Sequence, residues 1–148
     1  MTIPVPSVHA SAVQAGAIGI LIRGPSGAGK SRLAFDLILA GRSGQIPTTK
    51  LVGDDRVRLS VENGSIVARP AAELEGLIEI RGLGIRRCDF VRQTTLQLVV
   101  DLAADDAARM PDPDACFATL HGIKIPRIPI GTGFDALPLV AAALTTSP

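Results

Sequence analysis

The sequence predicts an α/β domain, a mixed β-sheet served by few helices. Three observations predict it. The apolar run "AIGILIRG" (17–24) has the length of a strand and feeds directly into the glycine-rich "GPSGAGKS" (24–31). After it, "SRLAFDLILAG" (31–41) places Leu33, Ala34, Leu37 and Ile38 on one helical face, with Gly41 where a helix would stop. Elsewhere, 15 glycines and 11 prolines in 148 residues divide the chain into short elements with tight connections.

The elements follow in order. "SVHASAVQAGAIGILIRG" (7–24) reads as a short strand, a turn at Ala15–Gly16, and the strand that enters the glycine loop. A helix runs from Ser31 to about Ala40, and a polar connection follows it at 41–50. In "LVGDDRVRLSVENGSIVARP" (51–70) a short strand ends in an acidic pair, and a hairpin turns at Asn63–Gly64. Val57, Leu59 and Val61 alternate with Arg58 and Ser60, the pattern of a half-buried strand. "GLIEIRGLGIRR" (76–87) fits neither a simple strand nor a helix. "TTLQLVVDL" (94–102) is a clear strand. "IKIPRIPI" (123–130) reads as an edge or bent one, because Pro126 and Pro129 cannot donate to a ladder. "FDALPLVAAAL" (134–144) is expected as a short helix. Residues 1–148 are read as a single domain, which buries roughly two-thirds of its unfolded surface.

Composition excludes several classes. Trp and Tyr are absent and Phe numbers 4, so platforms for stacking single-stranded nucleic acid are not expected. A net charge of +1 gives no strong electrostatic footprint for DNA or RNA. Two cysteines, Cys88 and Cys116, make neither a C-x-x-C pair nor a four-ligand zinc site, and are expected as ordinary thiols. No signal-peptide pattern opens the sequence, and its apolar runs are too short to span a bilayer. The expectation is a cytoplasmic protein without membrane or nucleic-acid partners.

The spacing G-x-x-x-x-G-K-S is that of a P-loop, and strand, glycine loop and helix in this order make the P-loop kinase core. Gly24, Pro25, Ser26, Gly27, Ala28, Gly29, Lys30 and Ser31 are the nucleotide-binding residues. The glycines let backbone N–H groups approach phosphate oxygens at a helix N-terminus. Lys30 brings a mobile positive charge, and the Ser31 hydroxyl suits Mg²⁺. ATP and Mg²⁺ are the expected cofactors.

Phosphoryl transfer also needs carboxylates and cations near the phosphates. Asp54 and Asp55 end a strand at a suitable place, and in extended backbone only one of them would enter the site. Glu79 and Asp101 are further acids, the first open to an ion pair with Arg81 or Arg86, the second to a strand-end turn or cap. Arg81 and Arg92 could neutralise phosphate, and His9 is one of 2 histidines.

"VHA" (8–10), "GPSGAGKS", "LVGDDRV" (51–57) and "EIRGLGI" (79–85) together resemble bacterial HPr kinase/phosphorylase, over residues 7–144 and on its C-terminal catalytic domain. "EIRGLGI" is the most specific of them. The resemblance implies a protein-serine kinase acting on an HPr-like phosphocarrier of a phosphotransferase system. It makes His9 the partner of the catalytic aspartate, and Asp54 or Asp55 the acceptor of the serine proton, with Asp54 tuned by His9 as the leading assignment. It makes Glu79 a second metal-side carboxylate beside Ser31, sets Arg81 on the same loop, and makes Arg92 an active-site arginine. It implies a homo-oligomer, a hexamer in the family, and returns Asp101 to a structural role.

The chain departs from the family in three places. Arg32 follows the P-loop serine where an acid is usual. "PRIPIGTGFDA" (126–136) replaces a basic loop linked to dephosphorylation, so the resemblance carries the kinase direction further than phosphorolysis. The N-terminal domain and last helices of the family are not expected here, as in short alphaproteobacterial forms. A nucleotide-sensing module without catalysis is the alternative reading, and a small-molecule kinase a weaker third.

Overall fold

The strand that enters the glycine loop lies near the middle of the sheet, and the rest of the fold is arranged around it. The computed structural model describes residues 2–148. In chain order the strands are β1 (Thr2–Pro4), β2 (Ser11–Ala15), β3 (Ile18–Arg23), β4 (Thr49–Gly53), β5 (Val57–Glu62), β6 (Ser65–Pro70), β7 (Leu77–Ile80), β8 (Gly84–Arg87), β9 (Thr94–Asp101), β10 (Phe117–Leu120) and β11 (Ile123–Pro129). The helices are α1 (Lys30–Arg42) and α2 (Leu137–Thr145).

Nine strands form one mixed sheet, ordered β1-β5-β6-β9-β3-β2-β4, with β11 beside β9 and β10 beside β11. β3 runs parallel to β9, and β9 parallel to β11. β2 is antiparallel to both β3 and β4, so β4 points the same way as β3. The segments after β3, β4, β9 and β11 therefore emerge at one edge of the sheet. That edge is where an α/β sheet offers a crevice for ligands.

Two apolar clusters cover the two faces. α1 and α2 lie on one, with Leu33, Leu37 and Val140 packed around Ile20, Ile22 and Val100. On the other, Leu21 and Val99 meet Val57, Leu59 and Ile66 from the β5–β6 hairpin. Successive residues of β3 thus enter different layers, as the pleat requires.

The hairpin turns where expected, with Asn63 (φ 52°) and Gly64 (φ 78°) both left-handed, as a tight two-residue connection demands. α2 is also where expected. Two details differ. α1 does not stop at Gly41 but runs on to Arg42. A Cβ on Gly41 would stand 2.7 Å from the Thr49 amide nitrogen, so the glycine serves close passage past the start of β4. The 76–87 stretch is a separate two-stranded sheet of β7 and β8, and Gly84–Arg87 is exposed throughout. Only β7 buries a side chain fully, Ile78, so the second strand has no alternation for the sequence to display. β11 fits the edge or bent reading, since none of its residues pairs on both sides. Its first half pairs with β10, and Arg127–Pro129 pair with β9, so the prolines mark a change of partner.

Candidate active site

Gly29 is the residue before α1 and is left-handed at φ 101°; Gly27 is left-handed too, at φ 82°. A side chain at either would meet nothing, so glycine is required there by backbone angle alone. Gly24 answers a different need: its Cβ would meet Leu102 Cβ at 3.0 Å. No acidic residue sits in the first turn of α1, so the positive end of the helix is not neutralised by its own side chains. Lys30 is buried, and its Nζ donates to the carbonyls of Gly24 (2.9 Å) and Pro25 (3.2 Å).

The acidic pair after β4 divides sharply. Asp54 is 5% exposed. Its Oδ1 accepts hydrogen bonds from Ser31 Oγ (2.6 Å) and Ser11 Oγ (2.7 Å), and its Oδ2 from the Glu79 amide (3.0 Å). Asp55 is left-handed at φ 65° and turns outward, where its Oδ1 lies 2.6 Å from His9 Nε2. The expectation that one acid enters and one departs holds in form, through a left-handed turn and not an extended strand. The expected pairing of His9 with Asp54 does not hold: His9 meets Asp55, because the three bonds on Asp54 turn it inward, away from the histidine. His9 is positioned by the bridge of Val8 to Val57, two residues beyond Asp55.

These groups share one cleft of about 880 Å³ with the glycine loop, Glu79 and Arg81, a volume ordinary for a small-ligand site. Glu79 is exposed, so the ion-pair alternative gives way to a carboxylate facing solvent. Arg92 is not brought to the cleft. It lies just before β9, 82% exposed, with its Nε 3.0 Å from Glu75 and its guanidinium over the Phe90 ring. Asp101 is half-buried at the end of β9 and is neither a turn nor a cap; it binds Arg23 through both oxygens and also accepts from Arg127. Burial pushes its carboxyl up, but the hydrogen bonds and charges of the two arginines outweigh this and hold it below the usual carboxylate range.

Sequence reasoning missed Ser11, whose hydroxyl donates to Asp54 and lies 3.4 Å from the Asp55 amide. The available signal was a serine beside Ala10, Ala12 and Val13 in a buried stretch, since a buried hydroxyl requires a partner. It also missed the wall formed by Gly133, Phe134, Asp135 and Asp36. Burial raises the Asp36 carboxyl; Arg32 opposes this and Asp135 adds to it. Arg32 itself is exposed and lies 3.8 Å from Asp36, one helical turn on.

Ser31 Oγ and Asp54 form a donor set that fits Mg²⁺, which takes one or two protein ligands and completes its shell with phosphate and water. No group of three or more His, Cys, Asp or Glu side chains that could hold a metal occurs among the described residues, so an all-protein metal cage is not the arrangement.

Residues 3–147 match the model of the HPr Serine kinase C-terminal domain. The chain belongs to this family. Among curated relatives named HPr kinase/phosphorylase, one from Mycoplasma mycoides is 30% identical over 158 residues, covering 95% of this chain and 47% of the relative. Another, from Enterococcus faecalis, is 33% identical over 150 residues, covering 93% of this chain and 46% of the relative. The chain thus spans about half the length of these relatives. A solved structure of the Hpr(Ser) kinase/phosphatase from Coxiella burnetii superposes with a TM-score of 0.74 at 26% identity, over 93% of this chain and 87% of that one. The fold is therefore the mixed-sheet P-loop fold of HPr kinase, as the sequence predicted. No helix among the described residues is long and apolar enough to cross a membrane.

Proposed function

We propose that the chain is a single catalytic domain that transfers phosphate from ATP to a serine of an HPr-like phosphocarrier. One observation supports this above others: a buried acid bonded to the P-loop serine stands next to an exposed acid bonded to a histidine, in one cleft. A kinase of this kind has separate tasks for two carboxylates, and the two environments suit them.

In this reading the loop from Gly24 to Ser31 cradles the phosphates, and Lys30 leaves the Gly24 and Pro25 carbonyls to neutralise charge on the transferred group. Ser31 and Asp54 hold Mg²⁺, which when bound offsets phosphate charge. Ser11 and the Glu79 amide keep Asp54 in place. Asp55 accepts the proton of the incoming serine hydroxyl as its oxygen bonds to the γ-phosphorus and the bond to ADP breaks. His9 orients Asp55. Asp55 therefore takes the part that the sequence had given first to Asp54. Glu79, whose amide bonds Asp54, and Arg81 line the same cleft and face the acceptor and the transferred phosphate. Arg92 has no part in this reading within one chain.

The loop at 131–135, "GTGFD", has no basic side chain to receive inorganic phosphate, so the forward reaction is favoured over phosphorolysis. A homo-oligomer, hexameric by resemblance, and a cytoplasmic setting belong to the same proposal.

The test is transfer of labelled phosphate from ATP to HPr. Lys30→Ala and Asp55→Asn should each abolish most of it while ATP still binds the Asp55 variant. Undiminished transfer by both would overturn these roles, and ATP binding without transfer to any HPr would favour the nucleotide-sensing alternative.

A further inference from the structure

The glycine loop has two unlike flanks. On the β2–β4 side stand His9, Asp54, Asp55 and Glu79. On the β9–β11 side lies a niche of about 190 Å³ with no ionisable side chain in its walls, formed by Leu102, Ala103, Ile130, Phe134 and the bare backbone of Gly131 and Gly133. Gly27, Ala28, Gly133 and Phe134 border both this niche and the main cleft, so the two are continuous across the loop. A nucleoside triphosphate whose reacting phosphorus lies by the acids has its other end on the opposite flank. We infer that this niche is the nucleobase subsite, and that Phe134 is the face on which the base stacks. The inference rests on the nucleotide-binding reading of Gly24–Ser31 and adds the direction in which the nucleotide lies.

The chemistry of the niche fits a flat, weakly polar ring. Phe134 is 76% exposed and borders both the niche and the cleft, so the face of its ring is open to a ligand lying across the glycine loop. A Cβ on Gly131 would stand 3.2 Å from Phe134 Cδ2, so glycine there lets the ring lie against its own loop. The walls are fixed in advance. The Leu102 amide donates to Arg23 O (2.8 Å), the Ile130 amide to Asp101 O (2.8 Å), and the Ala104 amide to Ile130 O (2.8 Å). Between them Ala103 is held left-handed at φ 54°, a conformation that a non-glycine residue keeps only where its surroundings impose it. Arg127 locks the same segment by bonding Asp101, Asp106 and the Ala115 carbonyl.

The walls also limit what can be read. Thr132 is the single side chain there with a hydrogen-bonding group, so the edge of the ring meets one hydroxyl and backbone groups and no set of side chains matched to one base. Strong rejection of one purine against another requires buried polar groups matched to that edge. ATP and GTP should therefore bind within about tenfold of each other.

Calorimetry with Mg·ATP, Mg·GTP and inorganic tripolyphosphate, which has no base, tests this. In the unaltered chain both nucleotides should bind more tightly than tripolyphosphate. Phe134→Ala should weaken both by roughly 5- to 100-fold, the loss expected of one base–aromatic stack, and leave tripolyphosphate unchanged. Phe134→Tyr should restore them. Unchanged ATP affinity in Phe134→Ala, an equal loss of tripolyphosphate, or a raised KM for HPr with ATP binding intact would overturn the inference. If base-dependent binding follows Phe134 but no HPr is phosphorylated, the kinase reading fails and the subsite stands; if no ATP binds at all, both fall.

Discussion

Asp54 and Asp101 emerge from buried strands at the same edge of the sheet, and their surroundings are opposite. Asp101 has a guanidinium on each oxygen, from Arg23 and Arg127. Asp54 has only neutral donors, two hydroxyls and one amide, and among the described residues no salt bridge reaches it. Both satisfy the rule that a buried carboxylate must be hydrogen-bonded. They differ in what happens to the charge. At Asp101 it is cancelled within the protein, and the group becomes a clamp joining β3, β9 and β11. At Asp54 it is oriented and left uncancelled, which suits a carboxylate that is to meet a cation.

The difference can be broken from either end. The largest effect is expected from Asp54→Asn: phosphate transfer to HPr should fall on the order of a thousandfold, the scale of losing a metal's stabilisation of phosphate charge, while the thermal midpoint moves little, since the amide oxygen still accepts from Ser11 and Ser31. Asp101→Ala should do the reverse, lowering unfolding free energy by roughly 3 kcal/mol because Arg23 loses its carboxylate and the largely buried Arg127 one of its two. Urea denaturation measures this, and ATP binding by the folded fraction should persist. If both substitutions fall mainly on activity, or both on stability, the contrast is wrong.

Acid sharpens it. The folded-state value of Asp101 is depressed, so its contribution is fully present above the unfolded value of about 3.9 and is lost as pH falls through the lower folded value. The stability gap between the wild-type chain and Asp101→Asn should therefore be constant near neutrality and shrink below about pH 4. The smallest effect belongs to a third pair. Arg32 is 87% exposed beside Asp36, so Arg32→Ala should change stability by less than about 0.5 kcal/mol. Removing it should also let the Asp36 carboxyl rise further, which NMR titration can follow.

The same two acids show how much was legible beforehand. Both end apolar strands, and the pattern could not tell them apart. What distinguishes them comes from afar: Arg23 is 78 residues from Asp101, and Ser11 is 43 from Asp54. The glycine loop was legible because its logic is local, a strand, a run of special backbone angles and a helix start within one stretch. Asn63–Gly64 was legible for the same reason. The 76–87 hairpin was not, since its second strand buries nothing. The histidine's true partner was not either, because a left-handed turn at Asp55 exchanges the two acids between inside and outside. Arg92 was placed by likeness of sequence, and in the fold it turns to Glu75 and Phe90 instead.

The alternating allegiance of β3 has a mechanical consequence. Ile20 and Ile22 are keyed to the helical layer and Leu21 to the opposite one, with Arg23 fastened at the tip. Removing a single residue between Ile18 and Arg23 would transpose every tooth of this key. The glycine loop could not simply slide to a neighbouring position, because the strand that carries it fits its lock in one setting only.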